Sequence, residues 1–128
     1  MDDLQPLEHD KVKVLVLDDD PAVSQLLARL LGGLGADVML AQSLHDAFEV
    51  FEDSPPALAL IDVHLGDGNG LDLVPQTRER HPGCVTAVLT ADESPAVRAA
   101  AAEAGADHFL SKPVRIDDLR RLLLSAAA

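Results

Sequence analysis

Asp62 closes the apolar run Ala57-Leu58-Ala59-Leu60-Ile61, and a loop holding three glycines, an Asp and an Asn follows it from Val63 to Gly70. Three other strand-like runs end on polar groups. Val12 to Leu17 stops at Asp18-Asp19-Asp20, Val85 to Leu89 stops at Thr90, and Asp107 to Ser111 stops at Lys112-Pro113. Gathered in one place, three carboxylates, a hydroxyl and an ammonium suit phosphoryl transfer, where catalysis is chiefly positioning and charge neutralisation. Asp18, Asp19 and Asp62 crowded together repel one another, which raises the pKa of at least one of them. A hard divalent cation relieves that repulsion. Mg²⁺ prefers oxygen ligands, keeps several waters and typically takes one or two carboxylates plus a phosphate oxygen. Lys112 adds a point positive charge for a phosphoryl group, and Thr90 a hydroxyl to hydrogen-bond one of its oxygens. No general base stands among these residues, so a carboxylate nucleophile is the economical assignment, and Asp62 takes that role.

Such a set forms only if the strands are parallel, because their carboxyl ends then share one edge, where open α/β sheets bind ligands. The patterning predicts that arrangement. Apolar runs at Val12–Leu17, Asp37–Ala41, Ala57–Ile61, Val85–Leu89 and Asp107–Ser111 read as strands. Helices follow each one. Asp20 caps the first ahead of Pro21, which suits the first helical position, and Gly35 ends it. That helix is expected to bury Ala22, Val23, Leu26, Leu27, Leu30, Leu31 and Leu34. Ser43 caps the second, with Leu44, Ala47, Phe48 and Phe51 on one side. Asn69 caps the third, with Asp72 placed as in a capping box and Pro75 set to kink it or shorten its start. Ser94-Pro95 opens the fourth, and Ile116, Leu119, Leu122 and Leu123 mark the fifth. Gly-Ala-Asp at 35–37 and 105–107 reads as shared turn chemistry rather than an internal repeat. Five strand–helix pairs in strict alternation imply one doubly wound α/β domain, with a five-stranded parallel sheet in the order 2-1-3-4-5.

The totals fit. A chain of 128 residues is one domain with room for a single core. A net charge of −12 argues against a nucleic-acid surface and is compatible with solubility, a divalent cation or a basic partner. Cys84 is the only cysteine, which rules out an intramolecular disulfide and points to a buried inert thiol. No run approaches a membrane span and the acidic amino terminus is unlike a signal peptide, so a cytoplasmic setting is expected. Residues 1–11 read as a loose leader, 12–125 as the domain and 126–128 as a tail.

The marks Val16-Leu17-Asp18-Asp19-Asp20-Pro21, Leu60-Ile61-Asp62 with Asp67-Gly68-Asn69-Gly70, Leu89-Thr90-Ala91 and Phe109-Leu110-Ser111-Lys112-Pro113 resemble the receiver domain of bacterial two-component response regulators. The resemblance implies a flavodoxin-like (βα)5 domain whose Asp62 accepts a phosphoryl group from a sensor histidine kinase or phosphotransfer protein, with Mg²⁺. It also implies that Asp19 ligates the metal directly, Asp18 largely through water, and the His64 backbone carbonyl completes the protein ligands. Thr90 and Phe109 would be the switch pair, relaying the change to the surface of the fourth helix, fifth strand and fifth helix, which would select an output partner or a homodimer. The Lys112–Pro113 bond is expected to be cis.

Plainer roles compete for several residues. Asp20 reads as a helix cap. His64 and Asp92 either modulate phosphoryl lifetime or are solvated loop residues. His9, His45, His81 and His108 share no ligand spacing, Ala99–Ala102 reads as a good helix former, and the helix dipole accounts for Asp117 and Asp118. Two other functions remain open. Asp18-Asp19-Asp20 satisfies the Asp-x-Asp start of haloacid-dehalogenase-like phosphohydrolases, though those expect a second acidic pair at a strand end. A receiver-like module can also bind partners without phosphorylation.

Overall fold

The computed structural model describes residues 11–127. The leader expected over 1–11 and His9 therefore lie, Lys11 apart, outside the described residues. Strands β1 (Lys13–Leu17), β2 (Asp37–Ala41), β3 (Leu58–Asp62), β4 (Val85–Thr90) and β5 (His108–Ser111) alternate with helices α1 (Pro21–Gly33), α2 (Leu44–Asp53), α3 (Leu73–Arg80), α4 (Pro95–Ala104) and α5 (Ile116–Ala127). The five strands are all parallel, in the order β2-β1-β3-β4-β5. The expected doubly wound topology is the observed one.

Strand side chains alternate between faces, so each central strand feeds two cores. Leu15, Leu17, Ala59, Ile61 and Val88 pack with Ala47 and Phe51 of α2, Leu73 and Val74 of α3, and Ala101 of α4. Val14, Val16, Leu58, Leu60, Ala87 and Leu89 pack on the other face with Leu27 and Leu31 of α1 and Leu119, Leu122 and Leu123 of α5. Each large side chain fully buried this way contributes about 1.5–3 kcal/mol.

The two Gly-Ala-Asp segments make the same turn. Gly35 (φ +94°) and Gly105 (φ +95°) take the left-handed conformation, and the next amide bonds back five residues, Ala36 to the Leu31 carbonyl and Ala106 to Ala101. This double closure of a helix end then releases the chain into β2 and β5.

Two local expectations need correction. In α1 the buried positions are Ser24, Leu27 and Leu31, whereas Ala22 is exposed and Leu26 is 53% exposed. Only one stripe faces the sheet, and Leu26 lies about 100° around the helix from Leu27. Ser24 occupies the stripe because its hydroxyl donates to the Asp18 carbonyl at 3.1 Å. In the third helical segment Asn69 does cap, accepting from the Leu71 amide at 2.8 Å, but it caps a 3₁₀ turn, Gly70–Asp72. Asp72 makes no capping hydrogen bond, so the capping box does not form. Pro75 sits in the first turn of the shortened α3, where its missing N–H leaves nothing unpaired.

Candidate functional site

Register assembles the site. Leu17 pairs with Ile61, Asp62 with Leu89 and Thr90 with Ser111, so the next residue of β1 and of β5 falls beside Asp62 and Thr90. Asp18, Asp62, Thr90 and Lys112 therefore converge on one rim, as their spacing predicts.

Asp18 is buried and fully partnered. One carboxylate oxygen accepts from the Asp20 amide at 2.9 Å and the other from Lys112 Nζ at 2.7 Å. Lys112 Nζ also lies 3.5 Å from Asp62 Oδ1, bridging the two acids. Burial works against the Lys112 ammonium, but its hydrogen bond to Asp18 and the charges of Asp62 and Asp18 outweigh that and hold its pKa above the ordinary amine value. Asp62 is held above the ordinary carboxylate value. Burial is the main cause, the Lys112 charge opposes it, and Asp18 adds repulsion. The raised pKa expected from crowding is present, although removal from water contributes more to it than the neighbouring charge.

Carboxylate oxygens of Asp18, Asp19 and Asp62 lie within 4.8 Å of one another. Their burial is graded, from Asp18 in the interior to an exposed Asp19. Three hard oxygen donors, open on one side, fit a small divalent cation that retains waters. Asp20 stands apart as the N-cap of α1, accepting from the Ala22 amide at 2.9 Å.

The Thr90 hydroxyl is buried and accepts from the Asp92 amide at 3.0 Å. Asp92 in turn accepts from the Ser94 amide at 3.0 Å, and Ser94 caps α4. The hydroxyl is thus two hydrogen-bonded links from the start of α4. His64 Nε2 lies 3.2 Å from Asp92 Oδ2, joining the loop after β3 to the loop after β4. The Ser94 hydrogen bonds first, and His64 after them, lower the Asp92 pKa. Phe109 is half-buried on β5, with the Arg98 guanidinium of α4 4.4 Å from its ring centre. The Lys112–Pro113 bond is cis, as expected.

The other flagged residues stay outside the rim. His45 pairs with Glu49 along α2, and His81 packs on Phe51. His108 lies on β5, and Asp117 and Asp118 pair with Arg120 and Arg121 in the first turns of α5. Burial pushes the Cys84 thiol up to about 12, which makes it inert. Sequence reasoning missed Ser24 and Arg98, because a serine inside an apolar stripe and an arginine on an exposed helix carry no signal until the fold is known.

Gly70 fixes the floor of the site. A Cβ built there would lie 1.9 Å from the Asp62 carbonyl oxygen, so only glycine lets the loop return against the end of β3. Gly70→Ala is expected to destabilise the protein by roughly 2–4 kcal/mol, as overpacking against backbone does. Urea titration of the two proteins checks this.

The family model for the response regulator receiver domain matches residues 14–124. The chain belongs to the response regulator receiver family. This receiver is 40% identical over 114 residues to the response regulator protein PilR of Pseudomonas aeruginosa, covering 89% of the chain and 26% of PilR. It is 38% identical over 112 residues to the photosynthetic apparatus regulatory protein RegA of Cereibacter sphaeroides, covering 88% of the chain and 61% of RegA. The receiver thus spans about a quarter of one relative and three fifths of the other. A CheY-like receiver domain protein from Methanospirillum hungatei superposes with a TM-score of 0.85 at 26% identity, covering 91% of this chain and 94% of that one. A response regulator from Burkholderia pseudomallei, solved with a phosphorylated aspartic acid, a calcium ion and citrate, superposes with a TM-score of 0.83 at 29% identity, covering 91% and 69%.

Proposed function

We propose that this receiver is a phosphorylation-switched signalling module in a two-component phosphorelay, with Asp62 as the phosphoacceptor. The observation that carries the reading is Lys112 Nζ lying between Asp18 and Asp62, on the same rim as the buried Thr90 hydroxyl. The phosphorylated aspartic acid of the Burkholderia pseudomallei relative supports it. A phosphohistidine on a sensor histidine kinase or phosphotransfer protein is the donor. An Asp62 carboxylate oxygen attacks phosphorus, the O–P bond of a mixed anhydride forms, and the N–P bond breaks with its electron pair leaving on the imidazole. Asp18, Asp19, Asp62 and the His64 carbonyl would hold Mg²⁺, which supplies neutralisation of the phosphoryl oxygens when bound. Lys112 shields the accumulating charge from the protein side. The module turns over no external substrate beyond its own phosphorylation and dephosphorylation.

The added phosphoryl brings about 1.5–2 negative charges and strong acceptor oxygens. Thr90 can donate its hydroxyl proton to one of them, and the movement needed to reach it shifts the oxygen that now accepts from the Asp92 amide. The links from Thr90 through Asp92 and Ser94 reach α4, and Phe109 lies under Arg98 of the same helix. We assign Thr90 and Phe109 as the pair that biases the surface of α4, β5 and α5, where an output partner or a second copy would be selected. Among the described residues no helix is long and apolar enough to cross a membrane. A cytoplasmic setting is part of the proposal.

Thr90→Ala separates uptake from relay. The variant is expected to keep accepting phosphate from acetyl phosphate, with the phosphorylated form changed in stability by about tenfold, the effect of one hydrogen bond to a charged group. Amide chemical-shift changes over Ser94–Ala104 and at Phe109 should be lost. Full-size changes in that variant would contradict the relay. The phosphohydrolase alternative has no support on the rim: Asp117 and Asp118 stand apart from it in α5, paired with Arg120 and Arg121. Release of many phosphate equivalents per chain, with no labelled protein, would favour that alternative.

A further inference from the structure

The loop after β3 folds into a minimal hairpin, with His64–Leu65 paired to Gly68–Asn69. A hairpin this short has little stability of its own, so its position depends on what anchors it. One anchor is its return, where the Gly70 amide donates to the Val63 carbonyl at 2.7 Å and Gly70 lies against the Asp62 carbonyl. Leu65 packs against the core and His64 meets Asp92, and Asp67 holds the tip. One Asp67 carboxylate oxygen accepts from the Leu44 amide at 3.0 Å, and the second from the His45 amide at 3.4 Å. These are the first two amides of α2.

Helix α2 already has a cap of its own, Ser43, whose hydroxyl accepts from the Asp46 amide at 3.1 Å. Asp67 reaches it from another segment of the chain. The helix is fixed by its buried Ala47 and Phe51, whereas the hairpin reaches the core only through the partly buried Leu65. The contact therefore fixes the hairpin more than it starts the helix. His64, the first hairpin residue, is the one whose carbonyl would meet the cation.

We propose that Asp67 is a positioning residue for the cation site: its two hydrogen bonds to the α2 N-terminus hold the hairpin so that the His64 carbonyl can complete the coordination. This rests on the Mg²⁺ reading above. Mg²⁺ demands near-ideal octahedral geometry, so a displaced carbonyl weakens binding even with all carboxylates intact. Coupling is reciprocal, so a bound cation should also stabilise the Asp67 contacts with Leu44 and His45.

Isothermal titration of the whole chain with MgCl₂ tests the proposal, alongside Asp67→Ala and Asp67→Asn. Asp67→Ala is expected to weaken binding by about tenfold, the lower range for losing a group that orients a metal ligand. Asp67→Asn keeps one of the two acceptors and should restore part of the affinity. Amide exchange on the unsubstituted protein adds a readout that needs no variant. Mg²⁺ should slow exchange at Leu44 and His45. Wild-type affinity in Asp67→Ala would overturn the inference alone. So would a deficit in Asp67→Ala that vanishes at high salt, since a screened charge rather than anchoring would then be the cause. Exchange at Leu44 and His45 unchanged by bound Mg²⁺ would also overturn it. A wild-type chain that takes up no Mg²⁺ would overturn the cation reading itself, and this inference with it.

Discussion

Asp62→Asn is expected to abolish phosphoryl uptake while making the unphosphorylated protein more stable. Uptake from acetyl phosphate with Mg²⁺ should fall by about a thousandfold or more, the scale on which removal of a covalent nucleophile registers. The stability gain follows from the raised pKa. Burial is its main cause, with Lys112 opposing and Asp18 adding to it, so the ionised carboxylate is less favourable in the folded protein than in the unfolded chain. A group whose folded pKa is raised contributes stability below its unfolded value, and that contribution is lost as pH rises through the folded value. At neutral pH the ionised Asp62 is therefore a net cost to folding. The amide carries no charge to desolvate. Calorimetry at pH 7 without metal should show a higher melting temperature for Asp62→Asn than for the unsubstituted chain. The advantage should shrink as pH falls through the folded pKa of Asp62. An unchanged melting temperature at pH 7 would mean that Lys112 fully offsets the burial.

Lys112→Met should act in the opposite sense on stability. It keeps an apolar stem and removes the ammonium that lies 2.7 Å from Asp18 and 3.5 Å from Asp62. Asp18 is only 2% exposed, so its charge is left with one partner, the Asp20 amide, in a dry setting. Breaking a buried pair from one side costs about 3–5 kcal/mol, and partial exposure of Lys112 places this case near the lower end. The urea midpoint should fall in the absence of metal, and Mg²⁺ should recover part of the loss by supplying positive charge to the same acids. Phosphoryl uptake should slow by about 10²-fold, as when one preorganised transition-state contact is removed. The linkage sign follows from the raised Lys112 pKa. Its contribution is fully present below the ordinary value of 10.5 and is lost as pH rises through the higher folded value. A wild-type advantage that began to fade near neutral pH would contradict this assignment.

The site was legible in the sequence because parallel strands convert chain order into spatial order. Asp18, Asp62, Thr90 and Lys112 each follow a strand, and strand ends need no side-chain detail to be placed on one edge. The two Gly-Ala-Asp turns were legible for a similar reason, since a left-handed glycine after a helix is a local requirement. What escaped depends on contacts between distant segments. Leucine at position 26 and serine at position 24 suggest the wrong buried stripe until the Asp18 carbonyl claims the Ser24 hydroxyl. Asp67 reads as a turn residue, and only the packed structure brings it to the first amides of α2. The capping box at Asn69 failed because Pro75 sits early in α3 and the chain tightens into a 3₁₀ turn before it.

The central claim is that Asp62 carries the phosphoryl group, and locating that group tests it most directly. The unsubstituted chain, incubated with acetyl phosphate and Mg²⁺, should gain one phosphoryl group by intact mass. Borohydride trapping of the acyl phosphate and peptide mapping should then place it on Asp62. A phosphoryl group on Asp18, Asp19 or any hydroxyl, or no covalent uptake under these conditions, would contradict the account.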